Sequence, residues 1–199
     1  MADTGAPHFI PYVEPTDLVR EYPAADEASA FAVAAALDAA GGLVAVKSAI
    51  FTGTQVASVT AGENLTVTDL TITHEVADPA NKLIISAFIG AAASSVGVGN
   101  VGLAVHDGTG LIAIGDADGS RTRLTAGGYL SDAPGSLIAT MPSVTFVHIP
   151  GSGSKTYTVR AINIRTSTET LYINRPENND NNLNRARAVS SLVIQEVKV

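Results

Sequence analysis

From Leu43 to the end of the sequence, hydrophobic and polar residues alternate with a period of two. This places every second side chain on the same face of an extended strand. In LTVTDLTITHEV (65–76), Leu65 and Val67 keep one phase and Leu70 and Ile72 keep the other. The slip at Asp69-Leu70 predicts a β-bulge. Further runs of this kind are KLIISAFI, GLAVH, LIAIG, SVTFVHI, KTYTVRAINIRT, TLYIN and AVSSLVIQEVKV. Turn signals separate them at Asp107-Gly108, Asp118-Gly119, Gly127-Gly128, Pro134-Gly135 and GSGS (151–154). Roughly eight to ten strands at this spacing predict an antiparallel sandwich or jelly roll over residues 43–199. Some strands look apolar on both faces, with Tyr157 and Val159 on one and Ile162 and Ile164 on the other. Burial beyond a single copy is the expectation from that pattern, hence an oligomer.

The pattern before Leu43 is different. Residues 1–22 carry Pro7, Pro11 and Pro15, a spacing that forbids a helix and favours extended backbone. The segment is nevertheless rich in large apolar side chains: Phe9, Ile10, Tyr12, Val13, Leu18, Val19 and Tyr22. An extended arm of that composition is expected to dock on another protein or on neighbouring copies. Residues 23–42 predict one short helix. Pro23 suits its first turn, Asp26 and Glu27 complement the positive end of its dipole, and Gly41-Gly42 end it. Its interior, AFAVAAALDAA, is built of small residues that bury little area each, so copies of itself, or the domain, are expected to stabilise it, a stalk of three such helices being one such arrangement.

Composition narrows the function classes. With no Cys among 199 residues, a disulfide framework, a thiolate metal site and a Cys nucleophile are all excluded. The net charge of −7 is concentrated early: residues 1–82 hold 11 acids and three bases, and residues 83–199 hold eight acids and nine bases. No clustered basic face for nucleic acid is expected from that balance. Leu83–Val105 is a stretch of 23 residues without a charge, long enough to cross a bilayer. Its AAASSVGVGN segment (91–100) reads instead as a turn between two strands, so no membrane span is predicted. The Pro-punctuated, acidic N-terminal segment does not read as a signal peptide.

No catalytic or metal motif stands out. GSGSKT (151–156) has Ser154 before Lys155 and a strand after it, where a phosphate-binding loop needs Gly and a helix; it reads as a hairpin loop. Asp116 and Asp118 in GDADGS would need a carboxylate near Gly127 to form a helical calcium loop, and read as an Asp-Gly turn. His8, His74, His106 and His148 are spread singly along the chain, the last two within apolar β runs. Asn64-Leu65-Thr66 fits a glycosylation sequon, and ENNDNNLN (177–184) reads as an exposed polar loop whose amides suit sugar hydroxyls. The expectation is a non-enzymatic protein with no cofactor and no bound metal.

Two segments carry a resemblance. IPYVEPTDLVREYPAADEASAFAVAAALDAAGG (10–42) resembles the N-terminal segments of minor tail and fibre proteins of tailed bacteriophages infecting actinobacteria. TLYINRPENNDNNLNRARAVSSLVIQEVKV (170–199) resembles the close of phage appendage head domains: a Tyr-Ile-Asn-Arg stretch, a polar loop, and a final Ser-Ser-Leu-x-x-x-Glu-Val strand. Pro176 stands where that family often has Ser, and no collagen-like or coiled-coil shaft separates arm from head. The resemblance implies a homotrimeric virion protein assembled in the host cytoplasm, with jelly-roll heads of the tumour-necrosis-factor or C1q kind. Its arm would attach to another virion protein, tail or capsid. The missing shaft implies a short knob. Its head would adhere to host surface polysaccharide through loops 93–100, 127–135 and 176–187. A capsid decoration protein or head fibre, clipped to the shell by the same arm, is the alternative.

Overall fold

A computed structural model describes residues 42–95, 101–127, 140–179 and 187–199. The predicted arm, the predicted helix and the apolar docking residues Phe9, Ile10, Tyr12, Val13, Leu18, Val19 and Tyr22 lie outside them. The unit spanning Leu43–Val199 is built of β-strands, and no helix occurs among its described residues.

Among the described residues, eleven strands form three antiparallel sheets. The first sheet has the order β1 (Leu43–Phe51), β11 (Ser190–Val197), β4 (Lys82–Phe88), β8 (Ser143–His148). The second runs β3 (Asn64–Val76), β9 (Gly153–Asn163), β6 (Val101–His106), β7 (Leu111–Ile112). A smaller third sheet places β10 (Glu169–Ile173) between β2 (Gln55–Val59) and β5 (Ala92–Ser94). The mainly β, sandwich-like arrangement expected from the alternation is what the chain adopts.

Alternation decides which side chains enter the core. Along β11, Leu192 and Ile194 are buried while Ser191, Val193 and Gln195 are only partly so. Across the first sheet Ile194 lies beside Ile85, which lies beside Phe146; Leu192 lies beside Ala87, which lies beside Val144. Val67, Leu70, Ile72, Leu103, Val105, Tyr157 and Val159 join them in one core cluster. Each fully buried Leu or Ile contributes about 1.5–3 kcal/mol relative to exposure. The bulge falls where the phase slip predicts it. Thr66 pairs with Arg160 and Thr71 with Thr158, so β3 advances five residues while β9 advances two. Asp69 takes up the excess at φ 59°, a left-handed conformation that Asp tolerates better than most residues.

Two expectations change. Residues 149–152 do not close a hairpin, because β8 pairs with β4 and β9 pairs with β3 and β6. The segment crosses from one sheet to the other, with Gly151 and Gly153 at positive φ supplying the corner. The two-faced strand β9 also needs no second copy to bury it. Tyr157, Val159 and Ile162 are all buried within the single chain. Leu124 lies against Gly102, the register partner of Ile162, on the outer side of the second sheet. A Cβ at residue 102 would collide with the Leu124 side chain, so that cover requires glycine.

Asn174 ties three strand ends together. Its Nδ2 donates to the carbonyls of Phe51 and Gly53 at 2.8 and 2.9 Å, its Oδ1 accepts from Ser190 Oγ at 2.6 Å, and its N–H donates to Ala91 O at 2.7 Å. The residue is fully buried at φ 60°, where the short polar side chain of Asn is tolerated. Asn174→Ala removes three side-chain hydrogen bonds, two of them buried, and leaves the Phe51 carbonyl and the Ser190 hydroxyl without that partner, at an expected cost of about 3 kcal/mol or more. Urea unfolding of the variant checks this; a midpoint matching the unmutated chain would refute the role.

Candidate functional site

Polar groups are gathered between the sheets at one end of the sandwich. Glu196 points inward from β11 and is nearly completely buried, as is His74 from β3. His74 Nε2 lies 2.8 Å from Glu196 Oε2. Facing a carboxylate, that ring nitrogen must donate. The other carboxylate oxygen accepts from Asn81 Nδ2 at 2.7 Å and from the Ala77 amide at 2.9 Å. Burial pushes the Glu196 carboxyl up, but the Asn81, His74 and Ala77 donors outweigh it and hold it below the ordinary glutamate value.

On the far side of Leu83, the register partner of both Glu196 and His148, the layer continues. The rings of His148 and Tyr157 meet edge to face, with centroids 5.9 Å apart. Burial pushes the His148 pKa down; Asp107 works against that, and the nearby Lys155 ammonium works with it. Tyr157 is pushed up to about 12 by burial and by the Asp107 charge. Burial raises the Asp107 carboxyl, yet hydrogen bonds from the Thr109 hydroxyl and amide and the Gly110 amide, with Lys155, bring it down to about 2. Among the described residues, three side-chain atoms are buried without a hydrogen-bond partner, and all lie in this layer: His74 Nδ1, His148 Nε2 and Tyr157 Oη.

The histidines described are spread singly in sequence but each has a neighbour in space. His74 is paired with a glutamate 122 residues away, His148 stacks on Tyr157, and His106 Nδ1 accepts from the Gly108 amide at 2.9 Å. Sequence reasoning missed Glu196, Asn81, Asp107 and Tyr157 as their partners. The one available signal was an acid at an inward-facing position of β11. Asp118 forms an exposed ion pair with Arg121 at 2.6 Å, and no group of three metal-binding side chains occurs among the described residues. Among those residues no helix is long and apolar enough to cross a membrane, and the uncharged Leu83–Val105 stretch contributes to β4, β5 and β6. Of the three loops expected to contact glycan, residues 96–100, 128–135 and 180–186 lie outside the described residues.

A second feature is the outer face of the first sheet. Three rows of register partners cross it: Val46, Gln195, Ile84 and Val147; then Ser48, Val193, Ser86 and Thr145; then Ile50, Ser191, Phe88 and Ser143. None of these is charged; the next row, Leu43, Val197 and Lys82, ends on the Lys82 ammonium. Val46, Ile50 and Val147 are 52, 60 and 61% exposed, although a strand in water ordinarily places polar side chains there. Ser86 and Thr145 share one 2.9 Å hydroxyl–hydroxyl bond. Ser86, Phe88, Ser143, Thr145 and Ser191 line a shallow concavity of about 280 Å³. By contrast, the outer face of β3 and β9 is hydrophilic. Thr73 and Thr156 share a 3.0 Å hydroxyl bond, Glu75 is exposed, and Arg160 bonds Thr66 and Thr158.

The arrangement can bind through a dry face and respond to acid through the inter-sheet layer. His148 takes up protons less readily folded than unfolded, so its contribution to stability is present above about pH 6.5 and is lost as pH falls below it. Glu196 and Asp107, held below their ordinary values, contribute above those values and lose that contribution as pH falls through the folded ones. Melting temperature is expected to decline below about pH 6.5 and again, more steeply, below about pH 4.5. His148→Phe should abolish the upper decline alone; an unchanged upper decline in that variant would contradict the assignment. No family model matches the chain, and no curated protein matches it either.

Proposed function

We propose that this chain is a structural protein of a bacteriophage virion, a short tail fibre or tail-tip head that adheres to host cell-surface glycan. In this reading residues 43–199 are a jelly-roll head, residues 1–22 are the arm that docks on another virion protein, and the assembled unit is a homotrimer. The observation that carries the proposal is the block of three uncharged rows on the outer face of the sheet built from the first and last strands, bordered at one end by Lys82. A domain made for assembly leaves such a face, whereas most monomeric surfaces do not. The strand orders β1-β11-β4-β8 and β3-β9-β6-β7 support the jelly roll, because consecutive strands repeatedly cross between sheets and the first and last strands lie side by side. The resemblance of residues 10–42 and 170–199 to phage appendage proteins supports the virion setting.

Capsid decoration is the second reading, favoured by the absence of a shaft between arm and head. Copy number in purified particles separates them: a handful to tens fits a tail, and hundreds fit a shell. Deleting residues 1–22 is expected to leave soluble assemblies that bind host cells yet fail to enter particles, scored by immunogold labelling. Heads that bind no host cell would remove the adhesive role, and truncated chains that still enter particles would remove the docking role of the arm.

A further inference from the structure

We infer that Glu196 is an acid-sensitive latch. Its buried carboxylate holds the connection between β3 and β4 against the last strand, and proton uptake by the His74–Glu196 pair releases that connection while the rest of the sandwich stays folded. The connection is a self-contained piece. Residues 77–80 are exposed, the Asn81 amide donates to the Asp78 carbonyl at 2.9 Å, and the Ala80 amide donates to Asp78 Oδ1 at 2.8 Å. Asp78 followed by Pro79 suits the opening of such a turn. Both of its ends are tied to one atom, Glu196 Oε1, through the Ala77 amide at 2.9 Å and Asn81 Nδ2 at 2.7 Å. A turn closed by its own bonds moves as a unit once that oxygen lets go.

The pair has no place for a further proton. On the His74 ring the proton would sit at Nδ1, which is buried without a hydrogen-bond partner. On the carboxylate it would sit at Oε2, against the Nε2–H donor, or at Oε1, against two donors. In each case a buried donor loses or lacks an acceptor, whereas in the open connection water serves both groups. Acid therefore favours the open form. Burial raises the Glu196 carboxyl, and the Asn81, His74 and Ala77 donors outweigh it, so the latch holds above about pH 4.5 and is lost as pH falls through the lower folded value. The surrounding strands present other groups. β1 places Ala45 beside Glu196 and Lys47 on the Thr73 carbonyl; β4 places Leu83 beside it, with Lys82 next to Val197. β8 places His148 beyond Leu83, and β9 places Lys155 beside His74, followed by Tyr157. Asp107, Lys155, His148 and Tyr157 act on one another, at the far side of the layer.

The test follows amide exchange in the full chain residue by residue by NMR, corrected for intrinsic rates, from about pH 7 to about pH 3. Protection of the Ala77 amide is expected to fall about tenfold or more below about pH 4.5, the worth of a hydrogen bond to a charged group, while the β9 amides stay protected. Over the same range the ring-nitrogen shifts of His74 should lose the pattern of a ring protonated at Nε2 alone. Glu196→Gln removes the titrating carboxyl, so Ala77 protection should become flat across the range, with protected β9 amides showing that the variant is folded. Asp107→Asn and His148→Phe should leave the acid-induced loss at Ala77 in place. Ala77 protection that holds throughout, or that is lost together with β9, overturns the latch. So does a loss that survives Glu196→Gln or disappears in Asp107→Asn or His148→Phe. Should Glu196→Gln not fold, the unmutated chain decides: opening at Ala77 with the His74 pattern unchanged overturns the latch, and opening with the pattern lost supports it.

Discussion

A carboxylate taken out of water is the constraint around which one end of this sandwich is organised. Glu196 has its two oxygens satisfied by three donors from three places: the His74 ring on β3, the Asn81 side chain just before β4, and the Ala77 amide in the connection between them. None of those donors is dispensable, because a buried carboxylate with a missing partner keeps its desolvation cost and loses its compensation. The consequence is geometric. β3 belongs to one sheet and β11 to the other, so the pair fixes how the two sheets sit at this end, where Lys155, Asp107, His148 and Tyr157 extend the polar layer. Apolar packing elsewhere in the core sets a distance between the sheets; the hydrogen-bonded carboxylate sets an alignment.

The residues that carried the resemblance have physical duties in this fold. Asn174, in the Tyr-Ile-Asn-Arg stretch, and Ser190, which opens the final strand, bond one another and together hold the ends of β1, β10 and β11. Gly90 packs against the same junction: a Cβ there would collide with the Val189 carbonyl, and the Gly90 amide donates to Ser190 Oγ. Leu192 is a central core residue, and Glu196 is the buried carboxylate. Arg175, next to Asn174, lies with its guanidinium 5.1 Å from the centre of the Tyr172 ring and bonds the Pro176 and Glu177 carbonyls. Asn174 and Ser190 thus form one structural joint, and Glu196 lies near the other end of the same strand.

Strand content was legible in the sequence because alternation reports which face of a strand is dry, and that is a local property. The β3 bulge was legible for the same reason, since Asp69 breaks the alternation. What local pattern does not encode is which strand lies beside which. Two consecutive runs joined by GSGS look like a hairpin whether they pair or part company, and the separation of β8 from β9 depends on β4 and β3 offering better edges. Partners for the buried histidine and glutamate lie 122 residues apart, a distance over which no spacing rule operates. The two-faced apolarity of β9 signals burial without saying whose side chains supply it. Leu124, in a segment with little β signal of its own, provides part of the cover that a neighbouring copy was expected to give.

The pairing of the first strand with the last has a consequence for how the molecule comes into being. β1 and β11 lie side by side from Leu43–Val197 to Phe51–Ser190, so one seam of the sheet joins residues separated by most of the sequence. During synthesis β1 emerges before the other described strands and waits for its neighbour until all of them have been made. Non-local pairing of this kind is slow to close and leaves a strand edge open in the interval. The aliphatic row of Val46 and Ile50 lies along that waiting strand. The aliphatic row that stays exposed in the finished sheet is therefore also the one most in need of protection while the sheet is incomplete.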